Sequence, residues 1–379
     1  MAVSLTPDEL LRRVEGDVRR AIRRGRNGLR YAAGTDRPKV GLTPKDVVWR
    51  RDKAEVWRYR SEGRTGSVPP VRSDRPAPVR VRYAPPVLVV HSLVSRSYVL
   101  DLHPRNSAVR FLLGAGLDVM LLDWGVADAV EAENTLETYA DGYLPAAIDA
   151  AREAAGTDDV TLLGYCFGGV LSLLGVARHP DLPVRNLAVM ATPVDYSGMR
   201  ALTGLIREGR LDPDELVDET GNVPPEAIEN AFRLLRPTGD LASYATLWQN
   251  LWNDEYVEGY QAMAQWTRDH VPFPGATFRQ TVEQLVRDNA LVDGTLRLGG
   301  RTVDLGAITV PFLNVMAEYD HIVPIDAAQP LTALVGSEDV TELRLKAGHV
   351  GLVASRTAAK VTLPQIAGWI AGHSGRVEG

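Results

Sequence analysis

The sequence predicts an α/β fold in which a mostly parallel sheet carries helices on both faces. Two observations lead to this prediction. Short runs of aliphatic and β-branched residues alternate with segments whose apolar residues recur at helical spacing, a pattern typical of parallel sheets. The chain, at 379 residues, is also long enough for one large α/β domain with an insertion, although two or three smaller domains fit the length equally well.

Composition and charge narrow the classes of function. With 45% hydrophobic and 24% charged residues, the chain is neither collagen-like nor coiled-coil nor largely disordered. Lys and Arg number 42 against 48 Asp and Glu, so no basic field favours nucleic-acid binding. No apolar run reaches the ~18 to 20 residues of a membrane span, and the start lacks a leader pattern, so we expect a cytoplasmic protein without a transmembrane segment.

Cys166 is the single cysteine of the chain. One cysteine excludes an intrachain disulfide and a zinc site of several thiolates, and we expect no metal. Its side chain is then either a small buried apolar group or a nucleophile. The residues around it decide between the two.

Residues 1–80 are expected to form an N-terminal segment outside the core. Thr6 with Glu9 three residues later is a capping box, and apolar residues at helical spacing follow with arginines between them. This basic amphipathic helix is either solvated and packed on the domain, or an arm that binds a partner or a surface. Residues 43–60 mix aromatic and charged side chains and are expected to strap onto the core, and residues 61–86 to form a loop.

The predicted core covers residues 81–196 and 305–379. Its strands and helices are expected in this order: strand 87–90, helix 109–116, strand 118–122, helix 136–154, strand 160–163, a helix from 168, strand 186–190, then strands 309–316 and 341–345 and a helix at 363–371. Between the two parts, residues 197–304 change to a helical pattern rich in aromatic residues. We expect this insertion to form a helical cap.

The strongest functional signal follows the strand at 160–163. Gly164-Tyr-Cys-Phe-Gly-Gly169 is a lipase-like box: it has the strand, sharp turn and helix of the nucleophile elbow of α/β-hydrolases, with Cys in place of Ser. Gly164 and Gly168 lack the side chain that would obstruct the turn, and the positive end of the following helix favours a thiolate. The motif favours a nucleophile over an inert buried cysteine.

Partners for this nucleophile occur where the α/β-hydrolase fold requires them. The acid and then the histidine of such a triad follow late strands. Asp320 and His349 come after the strands at 309–316 and 341–345. We therefore expect His349 to act as the base for Cys166, with Asp320 as its acidic partner.

Two backbone N–H groups, those of Phe167 and Leu93, are expected to form the oxyanion hole. Phe167 directly follows the nucleophile, and Leu93 lies in the loop after the first core strand. His321 adjoins Asp320 but lacks the strand and glycine context of His349, so we expect a structural role for it. The remaining loop and terminal histidines are expected to be solvated: His103, His179, His270 and His373.

Taken together, these motifs resemble one family. The chain resembles the catalytic subunit of a polyhydroxyalkanoate (PHA) synthase of the short, two-subunit kind called class III, within the α/β-hydrolase superfamily. The resemblance covers residues from about 40 to 355. Besides the cysteine box it rests on Thr43-Pro-Lys-Asp-Val-Val48, Trp57-Arg-Tyr-Arg60, Leu93-Val-Ser-Arg-Ser-Tyr-Val-Leu-Asp-Leu102, Gly116-Leu-Asp-Val119, Leu122-Asp-Trp-Gly125, Thr192-Pro-Val-Asp195, Ile308-Thr-Val-Pro311, Ala317-Glu-Tyr-Asp-His-Ile-Val-Pro324 and Gly348-His-Val-Gly351.

The resemblance implies roles for the site residues and for partners. Cys166 would hold the acyl group or growing chain as a thioester, and His349 would activate it. Asp320 would orient His349 or help to deprotonate the 3-hydroxyl of the incoming monomer. The implied substrate is a short-chain 3-hydroxyacyl-CoA such as 3-hydroxybutyryl-CoA, with CoA released and no separate cofactor. A second synthase subunit, the surface of cytoplasmic polyester granules, and a homo- or hetero-oligomer are the implied partners.

Two other functions stay open on the sequence. A thioesterase or polyester depolymerase on the same fold would release free 3-hydroxy acid instead of polymer. A non-catalytic granule-associated subunit would carry an inert thiol. Departures from the family pattern at Phe167, His91-Ser92 and Ser95 touch the pocket wall, so they concern monomer preference more than the reaction.

Overall fold

A nine-stranded sheet runs through the part of the chain that this computed structural model describes. The described residues are 6–34, 38–60, 81–199, 203, 204, 206, 208, 212–235 and 239–377. In chain order the strands are β1 (Lys45–Arg51), β2 (Ala54–Tyr59), β3 (Tyr83–Val90), β4 (Leu117–Asp123), β5 (Val160–Tyr165), β6 (Val184–Met190), β7 (Phe312–Ala317), β8 (Val340–Leu345) and β9 (Gly375–Arg376).

The strand order brings the predicted site residues to one edge of the sheet. The order is β1-β2-β4-β3-β5-β6-β7-β8, and β9 pairs with the start of β3. Every neighbouring pair from β4 to β8 is parallel, whereas β1 and β2 are antiparallel additions beside β4. β5 is buried along its whole length, as expected for a parallel strand covered on both faces. The carboxyl ends of β3, β5, β7 and β8 therefore open on the same side.

Helices cover both faces of the sheet. In chain order they are α1 (Pro7–Ala33), α2 (Ala108–Gly114), α3 (Leu144–Ala155), α4 (Phe167–Arg178), α5 (Pro225–Leu234), α6 (Gly239–Asn250), α7 (Asp254–Trp266), α8 (Gly275–Gln280), α9 (Ile325–Ala328), α10 (Leu331–Leu334) and α11 (Leu363–Gly372). One buried cluster contains Leu88 of β3 with Ile148 of α3 and Leu171 of α4. A second contains Val87 of β3 with Leu112 of α2. Successive β3 residues thus point to opposite faces, and the predicted layered α/β class is confirmed.

The N-terminal segment agrees with the prediction in its first half and differs in its second. α1 begins with the predicted capping box, in which the Thr6 N–H donates to Glu9 Oε2 over 2.8 Å and the Glu9 N–H donates to Thr6 Oγ1 over 3.4 Å. Residues 43–60, expected to strap onto the core, instead supply β1 and β2. Val56 and Tyr59 are buried while Trp57 and Arg58 between them remain partly exposed, so the mixed composition is that of an edge hairpin.

Element boundaries shift by a few residues elsewhere. β3 begins at Tyr83, so the end of the predicted loop at 61–86 is strand, and residues 61–80 lie outside the described part of the chain. The helix predicted at 136–154 starts with a π-helical turn at Thr138–Tyr143 before α3. Within the described residues, no helix has both the length and the apolar character needed to cross a bilayer.

The insertion at 197–304 is helical where it is described. It contains α5 to α8, and two short ladders accompany them: Asn222–Val223 pairs with Phe273–Pro274, and Arg297–Leu298 pairs with Arg301–Thr302. α1 also contacts α7 and the residues before it. The buried Asn27 side chain of α1 donates to Leu251 O over 2.7 Å and to Asp254 over 2.6 Å. The N-terminal helix is therefore fixed on the insertion near its own C-terminal end.

Candidate active site

Cys166 occupies a strained turn between β5 and α4. Its backbone has φ 55° and ψ −124°, a left-handed conformation that non-glycine residues rarely adopt. The Cys166 N–H donates to Met190 O over 2.9 Å, and its carbonyl accepts the Gly169 N–H over 2.9 Å. This is the geometry expected of a nucleophile elbow, in which the side chain is presented at the carboxyl edge of the sheet.

The elbow glycines are required by close backbone approach. A Cβ on Gly168 would lie 2.2 Å from Val90 O, and a Cβ on Gly164 would lie 2.5 Å from the Cα of Gly169. A Cβ on Gly169 would lie 1.9 Å from Thr192 Oγ1. Any side chain at these three positions would push α4 away from the neighbouring strands.

Asp320 and His349 form a buried hydrogen-bonded pair. His349 Nδ1 lies 2.7 Å from Asp320 Oδ2, and the two side chains are 9% and 0% exposed. Asp320 Oδ1 accepts the N–H groups of Ile322 and Val323, each over 2.8 Å. Both carboxylate oxygens are thus occupied, which fixes the imidazole ring with Nδ1 towards Asp320 and leaves Nε2 for another partner.

Cys166 is the partner of His349 on the other side of the ring. Burial lowers the pKa of His349, but the negative charges of Cys166 and Asp320, with hydrogen bonds to both side chains, outweigh burial and raise that pKa to about 10. The imidazole is therefore protonated at neutral pH, and its positive charge faces Cys166 and Asp320. Cys166, His349 and Asp320 follow three different strands, yet their side chains interact in series, and we call these three residues the charged row.

The two backbone N–H groups predicted for the oxyanion hole belong to neighbouring segments at the carboxyl edge of the sheet. β3 and β5 are neighbours, with Val90 paired to Gly164, so the loop carrying Leu93 runs beside the elbow. Phe167 is the first residue of α4, where N–H groups have no acceptor within the helix. Leu93 is buried in the loop that follows β3.

Tyr165, which the sequence motifs did not point to, supports the triad histidine together with His91. The fully buried Tyr165 ring lies between His91 and His349, at centroid distances of 6.0 Å and 5.3 Å, and its hydroxyl donates to His349 O over 3.3 Å. Burial lowers the pKa of His91 to about 4, so this ring is neutral at neutral pH. Tyr165 is the variable residue before the cysteine in the box, and that position is the signal that could have identified it.

The insertion lies over the elbow and the oxyanion loop. The Phe273 and Phe167 rings meet edge to face at 5.5 Å. His270 Nδ1 lies 3.2 Å from Val94 O, and the Trp266 indole N–H donates to Arg96 O over 2.8 Å. His270, expected to be solvated, is instead half-buried against this loop, because a segment distant in sequence covers it.

The other histidines divide between surface and paired positions. His321 is exposed and lies beside the triad without joining it. His179 lies 2.9 Å from Asp141, His373 lies 3.0 Å from Asp339 and His103 lies 3.5 Å from Glu258, so these three are paired where solvation was expected. Among the described residues, no group of three or more His, Cys, Asp or Glu side chains could hold a metal ion.

Comparison with known proteins gives the same fold and a narrower group. A family model described as alpha/beta hydrolase fold matches residues 85–353. The "Poly(3-hydroxyalkanoate) polymerase subunit PhaC" of Allochromatium vinosum is 36% identical over 371 residues, covering 97% of this chain and 98% of that protein. Proteins of the same name from Haloferax mediterranei and Thiocystis violacea are 34% and 33% identical, covering 91% and 90% of this chain and 68% and 92% of their own. The α/β-hydrolase fold predicted from the elbow is thereby confirmed.

The charged pair predicts unusual thiol reactivity at neutral pH. We expect iodoacetamide to alkylate Cys166 ~10-fold faster in the parent chain than in His349→Gln, because the imidazolium stabilises the thiolate. The raised pKa keeps His349 charged until the pH rises through about 10, so the rate advantage of the parent over the variant should persist from about pH 6 to 8. Intact-mass measurement of the single cysteine gives both rates. His321→Gln, a matched histidine beside the triad, should behave as the parent, and an equally fast His349→Gln would contradict the ion pair.

Proposed function

The chain belongs to the poly(3-hydroxyalkanoate) polymerase family within the α/β-hydrolase fold, and we propose that it polymerises 3-hydroxyacyl-CoA into polyhydroxyalkanoate with release of CoA. It is an enzyme of the acyltransferase type. The observation that carries the proposal is the coupling of Cys166, on a strained elbow, to the buried His349–Asp320 pair. A short-chain monomer such as 3-hydroxybutyryl-CoA is the substrate we propose to test first.

Acylation is the first step. The Cys166 thiolate attacks the thioester carbonyl, a new thioester forms on the protein, and the CoA thiolate leaves with the proton that His349 carries. Nucleophile and leaving group are both thiolates, so the exchange is nearly isoenergetic. The backbone N–H groups of Phe167 and Leu93 are the donors we propose for the oxyanion that develops in this step.

Elongation uses the neutral His349 that acylation leaves behind. His349 removes the proton of the 3-hydroxyl of an incoming monomer, the alkoxide attacks the Cys166 thioester, and an ester forms as the Cys166 thiolate leaves beside the recharged imidazolium. The extended chain, now a CoA thioester, can acylate Cys166 again with release of CoA. Conversion of a thioester to an ester runs downhill and drives the cycle. No cofactor beyond the CoA carried by the substrate enters this scheme.

Asp320 fits the role of orienting His349 better than that of a direct base. Both of its oxygens are engaged and its side chain is fully covered. A buried carboxylate facing Nδ1 stabilises the imidazolium and increases the basicity of Nε2. That increase matters most for the 3-hydroxyl, which is a far weaker acid than a thiol.

Polymer forms only if the hydroxyl of the next monomer, and not water, attacks the thioester on Cys166. The insertion covers the elbow with apolar side chains, including the Phe273 ring against Phe167. A covered apolar site excludes water and strengthens the electrostatic interactions inside it. This favours a polymerase over a thioesterase or depolymerase on the same scaffold, and a thiol is also poorly suited to ester hydrolysis, for which Ser is the usual choice.

A second synthase subunit and the polymer granule are the partners we propose, with the outward face of α1 as their contact. Val14, Val18 and Ile22 lie along one side of α1 and are 53%, 52% and 67% exposed. Arginines flank them. Because Asn27 fixes the far end of α1 on α7, this apolar stripe is held outward, where it can pack on a partner helix or lie on an apolar surface coated with anions. We propose the two-subunit, class III arrangement and an oligomer on this basis.

The reaction is tested by following CoA release and polymer from 3-hydroxybutyryl-CoA. We expect both products from the parent chain and loss of both by ~10³-fold or more in Cys166→Ala, which removes the nucleophile. Cys166→Ser should retain the fold and lose most activity, because a hydroxyl needs a stronger base than a thiol. Free 3-hydroxybutyrate without polymer would identify a hydrolase, and unaltered turnover in Cys166→Ala would overturn the mechanism.

Asp320 and His349 should be separable by step. We expect His349→Gln to block acylation and elongation, and Asp320→Asn to allow acylation of Cys166 while elongation falls by ~10²-fold or more. Intact mass after brief exposure to the CoA thioester reports acylation, and polymer yield reports elongation. Asp326→Asn makes the same change at an exposed position of α9, the helix that follows this loop, and should resemble the parent. Normal elongation by Asp320→Asn would refute the assignment.

The stripe on α1 should affect association without affecting the core. We expect replacement of Val14, Val18 and Ile22 by Ser to lower granule co-sedimentation, or activity with the partner subunit, by ~3-fold or more, since apolar burial is lost. Glu15→Ser with Arg19→Ser removes an exposed pair on the same helix without changing net charge, and serves as control. Equal values for both variants and the parent in both assays would show that the stripe is only solvated.

A further inference from the structure

Tyr196 carries a buried hydroxyl that no described residue satisfies. The residue follows β6 by six positions and is 4% exposed. Its Oη has no hydrogen-bond partner among the described residues. Buried polar groups are nearly always paired, so an unpaired phenol calls for a partner that the described residues do not supply.

The Tyr196 ring packs in a buried cluster that includes a residue of the elbow. Tyr196 belongs to the same buried cluster as Phe167, which follows the nucleophile, and Val323, whose N–H binds the triad carboxylate. Burial and, after it, the charge of Cys166 raise the pKa of Tyr196. The group is therefore a protonated donor within electrostatic reach of Cys166.

The backbone around Tyr196 is held from several sides. The Tyr196 N–H donates to Asn289 Oδ1 over 2.8 Å, and Thr203 Oγ1 donates to Tyr196 O over 3.3 Å. The N–H groups of the two preceding residues both bond to Ala327 O, at 2.8 Å and 3.0 Å. A Cβ on Gly198 would lie 2.8 Å from Ala327 N, so the segment cannot shift towards α9. The ring is anchored, although its hydroxyl takes no part in the anchoring.

We propose that the Tyr196 hydroxyl donates a hydrogen bond to the oxygen on carbon 3 of the acyl group bound to Cys166, and thereby selects 3-oxygenated acyl chains over unsubstituted ones. The thioester oxygen is already assigned to the N–H groups of Phe167 and Leu93, so the next oxygen along the chain is the acceptor that remains. That atom is a hydroxyl in a monomer and an ester oxygen in a growing chain, and both can accept. This makes Tyr196 a specificity-determining residue, and the assignment rests on the proposed function.

The donor favours one substrate class because it is buried. A site built to hydrogen-bond a substrate oxygen discriminates strongly against an analogue without that oxygen, since the buried donor is then left unpaired. An apolar pocket of the same shape would distinguish the two substrates only weakly. The hydroxyl therefore sets a preference that the size of the pocket alone does not.

Acylation of Cys166 by 3-hydroxybutyryl-CoA and by butyryl-CoA tests the proposal. The rates are measured by intact mass in the parent, in Tyr196→Phe and in Tyr59→Phe, which removes a hydroxyl from a buried ring on the edge hairpin. We expect the parent to prefer the 3-hydroxy substrate and Tyr196→Phe to lose ~10-fold or more of that preference, mainly through a slower reaction with the 3-hydroxy substrate. Tyr59→Phe should keep the parent ratio.

Thermal unfolding separates selection from a structural role. The Tyr196 hydroxyl has no bond within the described structure to lose, so Tyr196→Phe should be as stable as the parent or more so. An unchanged substrate ratio in a folded Tyr196→Phe, a parent without preference, or a marked loss of stability in Tyr196→Phe would each overturn the proposal. A parent that neither thioester acylates would instead overturn the proposed function.

Discussion

The left-handed backbone at Cys166 is the constraint on which the rest of the site depends. Such a conformation costs a non-glycine residue about 1 to 3 kcal/mol, so the surrounding structure must hold it. The bond from the Cys166 N–H to Met190 on β6 and the immediate start of α4 do so. The glycine contacts follow from the same turn, because α4 can leave it only by passing against the loop after β3. The backbone conformation of this one residue thus determines where the thiol lies, where α4 begins and how the elbow packs.

The core of the fold supplies the reacting side chains, and the insertion at 197–304 covers them. Core loops after β5, β7 and β8 supply the charged row, and its His349–Asp320 contact is short and almost fully buried. The insertion supplies no residue of the charged row, but Phe273 and His270 of the insertion contact the elbow and the loop after β3. Changes in the insertion can therefore alter what enters the site while the thiolate and its base remain as they are. A family can vary its substrates on this plan without rebuilding its reaction.

The sequence predicted the parts of the site that follow from order along the chain. Cys166 and Asp320 each come after a strand of strong aliphatic pattern, and His349 comes after a strand in which charged residues alternate with Leu. Parallel pairing then brings the three together. The groups that sequence reasoning missed depend on contacts between distant segments. His270 meets Val94 across the insertion, and no local pattern reports that meeting. β1 and β2 escaped notice for a related reason, since half-buried edge strands with aromatic and charged residues lack the aliphatic runs of central strands.

The two outer strands of the sheet affect whether copies of the protein can pair through their sheets. Within the described residues the sheet ends at β1 and β8, and charged side chains stand on both, with Asp46 and Arg50 on the first and Glu342 and Arg344 on the second. Charge on an edge strand discourages a neighbouring molecule from adding its own strand to the sheet. Such edges keep the sheet of one copy of the protein from extending into the sheet of another.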